Sequence, residues 1–147
     1  MSLRTPIFAL FVALTLAACA SGPAKRISPP TASVQELSVL ADGRWRVVMR
    51  VQNFSNVAMT FNLLDARLSI NGSELGTITS SVDLDVPGAS ADVFETLFSP
   101  RSTTALEGRN VEYSLKGRIT SSEPSGDFPF ERASRLSPVP GLPGTWR

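Results

Sequence analysis

Residues Arg44 to Asn53, RWRVVMRVQN, alternate with period two: Trp45, Val47, Met49 and Val51 fall on one side, Arg44, Arg46, Arg50 and Gln52 on the other. A β-strand sends successive side chains to opposite faces, so this stretch reads as a strand with one face buried and one wet. The pattern continues outward in both directions. VAMTF places Val57, Met59 and Phe61 on one face, and ARLSI does the same with Ala66, Leu68 and Ile70. The phase slips between them around Leu63-Leu64, which predicts a bend or bulge. VDLDV alternates Val82, Leu84 and Val86 with Asp83 and Asp85, ADVFETLF follows, and NVEYSLKGRI sets Val111, Tyr113, Leu115 and Ile119 against Glu112, Ser114, Lys116 and Arg118. No stretch has a convincing helical period.

The punctuation agrees. Asp42-Gly43 and Asn71-Gly72 are turn dipeptides lying between candidate strands, and Pro87-Gly88 ends VDLDV. Such pairs tolerate the positive φ that tight hairpins demand. About seven short strands over ~100 residues predict an all-β fold, a single antiparallel β-sandwich. Its core domain spans residues 34–136.

The N-terminus has a different character. Arg4 precedes an apolar run from Pro6 to Leu16, followed by Ala17, Ala18 and the chain's one cysteine, Cys19. The run is about half of the ~20 residues a helix needs to span a bilayer, and Ser21, Gly22 and Pro23 follow at once. Residues 1–18 read as a signal peptide. Leu16-Ala17-Ala18-Cys19 resembles a bacterial lipobox, which assigns Cys19 as a lipid attachment point and makes the membrane the first partner. Each buried methylene of an acyl chain contributes ~0.8 kcal/mol, and more than one chain is needed for stable anchoring. Ala20, in the place where aspartate favours inner-membrane retention, implies a cell-envelope lipoprotein of the outer membrane facing the periplasm. Residues 19–33, small, polar and proline-containing, read as a lipidated flexible tether. The stretch SPVPGLPGTWR, residues 137–147, reads as a proline-rich extended tail, with Trp146 either docked back on the domain or exposed.

Composition excludes much. The chain has 14 basic and 13 acidic residues. Cleavage before Cys19 would remove Arg4 and no acid, so the mature chain is balanced. Nucleic-acid binding by counterion release needs a basic excess that is missing here. There is no histidine. With Cys19 acylated, the commonest zinc ligands and the usual general base at neutral pH are absent, so no cofactor and no catalytic residue is assigned. A serine nucleophile would lack both histidine and a Gly-x-Ser-x-Gly elbow, so the chain reads as a non-enzyme.

Several blocks in order then resemble one family: a strand ending in VQN, then FNLLDARLSINGSELG, VDLDVPG, YSLKGRI and GDFPF. They are similar to the water-stress and hypersensitive-response (WHy) domain of the folded, type-2 late embryogenesis abundant (LEA) proteins. The resemblance rests on Asn53, Asn71, Gly72, Pro87, Gly88, Tyr113 and Gly117. It implies a fibronectin type III-like sandwich without a catalytic site, structural roles for those residues, and a part in desiccation or stress protection of proteins or of the envelope. One departure stands out: where the family often has Asn-Pro-Asn or Asn-Pro-Asp, this chain has Asn53-Phe54-Ser55-Asn56. Asn53, Ser55 and Asn56 can each cap local backbone groups in place of the proline.

Sharper readings have plainer competitors. Asp83 and Asp85 share a face and could suggest a calcium site, but solvated strand charges are the expected outcome. Arg44, Arg46 and Arg50 could bind anionic lipid, whereas a charge-protected sheet face is favoured. Trp45 and Tyr113 belong to the core. Asn53-Phe-Ser55 and Asn71-Gly-Ser73 match a glycosylation sequon, which carries no weight in a bacterium. The alternative function is an envelope adaptor that binds one protein partner by strand addition.

Overall fold

The computed structural model describes residues 22–102 and 106–147. Eight strands run in order: β1 Thr31–Val39, β2 Trp45–Gln52, β3 Met59–Ile70, β4 Ser73–Val86, β5 Ala91–Phe98, β6 Val111–Glu123, β7 Ser125–Leu136 and β8 Thr145–Trp146. They form two four-stranded sheets, β5-β2-β1-β8 and β4-β3-β6-β7, with every pairing antiparallel. The first seven strands have the fibronectin type III arrangement, and β8 is an addition at the free side of β1.

The alternation decides which side chains meet. Val47, Met49 and Val51 of β2 face Phe61, Leu64, Leu68 and Ile70 of β3 and Leu115 and Ile119 of β6, all at most 1% exposed. Burying each such side chain contributes about 1.5–3 kcal/mol, which is what holds the sheets face to face. Trp45 and Phe98 close one end, their ring centroids 5.9 Å apart and tilted at 60°. The phase slip in β3 is a bulge at Asn62, where pairing to both neighbours jumps from Phe61 to Leu63. Asn62 and Leu63 are both exposed, so Leu64 regains the core. ELGTI and VDLDV prove to be one long strand, β4.

Two segments differ from expectation. The predicted tether, residues 19–33, is docked over its later half: β1 begins at Thr31, Ala32 is fully buried, and residues 24–28 are hydrogen-bonded to the β2–β3 loop. The tail, residues 137–147, is likewise built in. Ser38 pairs with Thr145 and Leu37 with Trp146, whose ring is 5% exposed and donates from Nε1 to the Arg109 carbonyl at 3.1 Å. Polar, proline-containing sequence reads as free chain only when no edge waits for it; here β1 offers one. Cys19 and the signal segment lie outside the described residues.

Candidate functional site

Asn53 leaves β2 at the point where the chain crosses to the other sheet. Its amide still donates to the Ser90 carbonyl at 2.9 Å, and the Ser55 carbonyl accepts from the Ala89 amide at 2.8 Å. The carbonyls around the crossing, however, converge on the Asn53 side chain. Nδ2 donates to the carbonyls of Val57, Val86 and Pro87 at 2.9, 3.0 and 3.1 Å, while Oδ1 accepts from the Ser55 amide at 2.9 Å. Asn53 and Ser55 are fully buried. The sequon at Asn53 is therefore inaccessible, and the asparagine side chain itself organises the turn. Gly88 packs against this loop: a Cβ there would lie 2.7 Å from the Asn56 carbonyl carbon.

The same loop grips the incoming chain. Arg26 donates its amide to Asn56 Oδ1 at 2.8 Å, the Asn56 amide returns to the Arg26 carbonyl at 3.2 Å, and Asn56 Nδ2 reaches the Ala24 carbonyl at 2.8 Å. Ser55 Oγ accepts from the Ser28 amide at 2.9 Å and donates to the Ser28 carbonyl at 3.2 Å. Sequence reasoning placed Ser55 and Asn56 as local caps. Apart from a Ser55 Oγ contact with Met59 Sδ at 3.4 Å, the partners of their side chains lie 27 to 32 residues away, and no local signal marks them.

Asn71, Gly72 and Tyr113 come together at the opposite end. Asn71 and Gly72 adopt φ of 48° and 80°, the paired left-handed geometry of a tight hairpin. Asn71 exchanges hydrogen bonds with Glu112, amide to carbonyl at 2.8 Å and side-chain oxygen to amide at 3.0 Å. The neighbouring Tyr113 points inward and its hydroxyl crosses to the other sheet, accepting from the Val34 amide at 3.2 Å. Burial pushes the Tyr113 phenol pKa up, outweighing the Val34 hydrogen bond and the nearby Arg132. An open hollow of about 480 Å³ lies beside them, lined by Gly72, Tyr113, Ser114, Ser134 and Arg135 among others. Its lining also includes Glu112, whose carboxylate is paired with Arg135 at 3.0 Å. Gly117 stands apart in mid-β6. A Cβ there would come within 2.0 Å of the Asp65 carbonyl oxygen, so the two strands meet only because the position is glycine.

The charged candidates separate. Arg44 is paired with Asp42 in the β1–β2 turn, and Arg46 with Glu36 at 3.1 Å. Glu36, which sequence reasoning missed, also takes Arg147 at 2.7 Å and so ties the C-terminus to β1. The Arg147 hydrogen bond, aided by the Arg147 and Arg46 charges against partial burial, holds the Glu36 carboxyl below its ordinary range. Asp83 and Asp85 are exposed on β4, and Asp85 accepts from Thr60 Oγ1 at 2.6 Å. Among the described residues no group of three His, Cys, Asp or Glu could hold a metal ion.

No protein-family model matches this chain, and no curated protein does. Among solved structures the fold is similar to an Arabidopsis thaliana protein determined in solution, with TM-score 0.50 and 12% identity over 81% of this chain and 84% of that one. It is also similar to a protein from Archaeoglobus fulgidus, with TM-score 0.42 and 16% identity over 78% and 98% of the two chains. A protein provisionally described as late embryogenesis abundant (LEA) aligns with TM-score 0.43 and 13% identity over 91% and 82%. The first of these likenesses speaks to the sandwich fold, and none of them to chemistry.

Proposed function

We propose that this chain is a non-enzymatic envelope lipoprotein, anchored through Cys19, whose WHy-like sandwich shields neighbouring proteins or the membrane surface during water loss. The supporting observation is the outer face of β4-β3-β6-β7. There Ser69, Thr77, Thr79, Ser114 and Thr120 stand among charges of both signs, with Lys116 beside Glu131 at 3.5 Å, Glu112 beside Arg135 at 3.0 Å, and Arg118 paired with Asp127. Exposed pairs of this kind contribute little to stability. Their effect is to hold water on a charge-balanced surface without a sticky patch, so the domain can separate clients as they concentrate.

The test dries an enzyme sensitive to dehydration with an equal mass of the acylated chain, beside an inert protein control. Activity recovered well above the control is expected; recovery equal to it would reject the shielding role. Intact mass tests the anchor separately: acyl chains on the wild type and none on Cys19→Ser, which should remain folded.

A second reading has its own observation. Among the described residues β5 ends its sheet with one side unpaired, and its outward Val93 and Leu97 are 41% and 52% exposed. An adaptor accepting a partner's strand would use this edge. A reproducible crosslink from β5 to one envelope protein would favour it, and a diffuse pattern would count against it.

A further inference from the structure

We propose that the end of the sandwich built from the β2–β3 loop and residues 24–28 rests on a phospholipid bilayer, with Phe54 inserted among the headgroups. Phe54 is 49% exposed although its neighbours Asn53 and Ser55 are fully buried. The loop is therefore held rigidly while presenting its one aromatic ring outward. Ile27 is 41% exposed between Arg26 and Ser28, both hydrogen-bonded to the same loop. An apolar ring on a fixed loop, with a second exposed apolar residue on the segment bonded to that loop, is a small insertion device; interfaces favour aromatic side chains at headgroup depth.

The course of the chain selects the bilayer as the occupant. This step rests on the reading of Cys19 as acylated. Four residues, and so five Cα–Cα steps, separate Cys19 from Ala24, whose carbonyl is fixed by Asn56. Fully extended, they reach about 18 Å. A strand as long as β3 spans about 40 Å, so of the two ends of the sandwich the tether holds this one at the lipid and leaves the other out of its reach. Lys25, Arg26 and Arg50 have no ion pair among the described residues and lie at or near this end. Asp85, Asp92 and Glu123 are there too, so the attraction is chiefly apolar and changes little with salt.

The experiment uses the full acylated chain reconstituted into phosphatidylethanolamine–phosphatidylglycerol vesicles with brominated acyl chains. Trp45 and Trp146 are 3% and 5% exposed and supply a constant background. Phe54→Trp places a reporter at the proposed contact, and Leu142→Trp, at a residue 50% exposed on the opposite end, is its counterpart. Expected are a blue shift and bromine quenching for Phe54→Trp, retained at high salt, and neither for Leu142→Trp. An acylated Phe54→Trp chain that is not quenched, or a Leu142→Trp chain quenched equally, would overturn the orientation while leaving the anchor intact. A chain that intact mass finds without lipid would overturn both.

Discussion

The two ends of the sandwich solve the same problem in opposite ways. At the β3–β4 hairpin the backbone closes the turn: Asn71 and Gly72 take positive φ and Ile70 pairs at once with Ser73, while the Asn71 side chain adds one bond, to the Glu112 amide of β6. At the β2–β3 crossing the strands belong to different sheets, the backbone supplies only isolated bonds to Ser90 and Ala89, and the side chain of one buried asparagine binds three carbonyls and an amide. Hairpins are closed by conformation, whereas crossings between sheets need side chains as surrogate backbone.

This contrast sets an order of effects. Asn53→Ala should be the most damaging, costing about 3–4 kcal/mol in urea unfolding, because several buried backbone groups lose their partner together. A loss under about 1 kcal/mol would mean that water replaces the amide and that the contrast is false. Tyr113→Phe should cost about 1–2 kcal/mol, since the Val34 amide between the sheets is left unsatisfied while the ring still packs. At the hairpin, Gly72→Ala should cost only about 1 kcal/mol, the strain of an alanine at φ 80°, because nothing lies within 4 Å of the new methyl. Equal losses for Gly72→Ala and Asn53→Ala would erase the distinction.

The smallest effect concerns Glu36 and the C-terminal strand. Its carboxyl pKa is lowered in the folded state from an ordinary 4.5, first by Arg147. Its contribution is therefore complete above that value and fades as pH falls through the lower folded one. The melting temperatures of wild type and Glu36→Gln should differ at neutral pH and converge in acid. A gap that widens in acid would contradict the assignment.

Period two in RWRVVMRVQN and NVEYSLKGRI identified the buried faces, and the Asn71-Gly72 turn was legible for the same reason: both depend on neighbours one or two residues away. The bulge in β3 showed as a phase slip, although the chain places it at Asn62 rather than at Leu63-Leu64. Gly117 was singled out by resemblance, but the need for glycine there comes from the Asp65 carbonyl of another strand. The grip of Asn56 on residues 24–26 had no local trace, and neither did the role of Glu36.

The sequence by itself determined that this protein is an antiparallel β-sandwich and that it has no histidine, with the buried faces of β2, β3 and β6 and the Asn71-Gly72 hairpin placed by local alternation and turn residues. Only the tertiary structure decided that two segments of tether-like composition are parts of the domain. Asn56 meets Arg26 across 30 residues, and Ser38 meets Thr145 across 107. Such contacts depend on which strand edge and which loop remain unsatisfied once the sheets have assembled, and that is a property of the assembled sheets, absent from the composition of either segment.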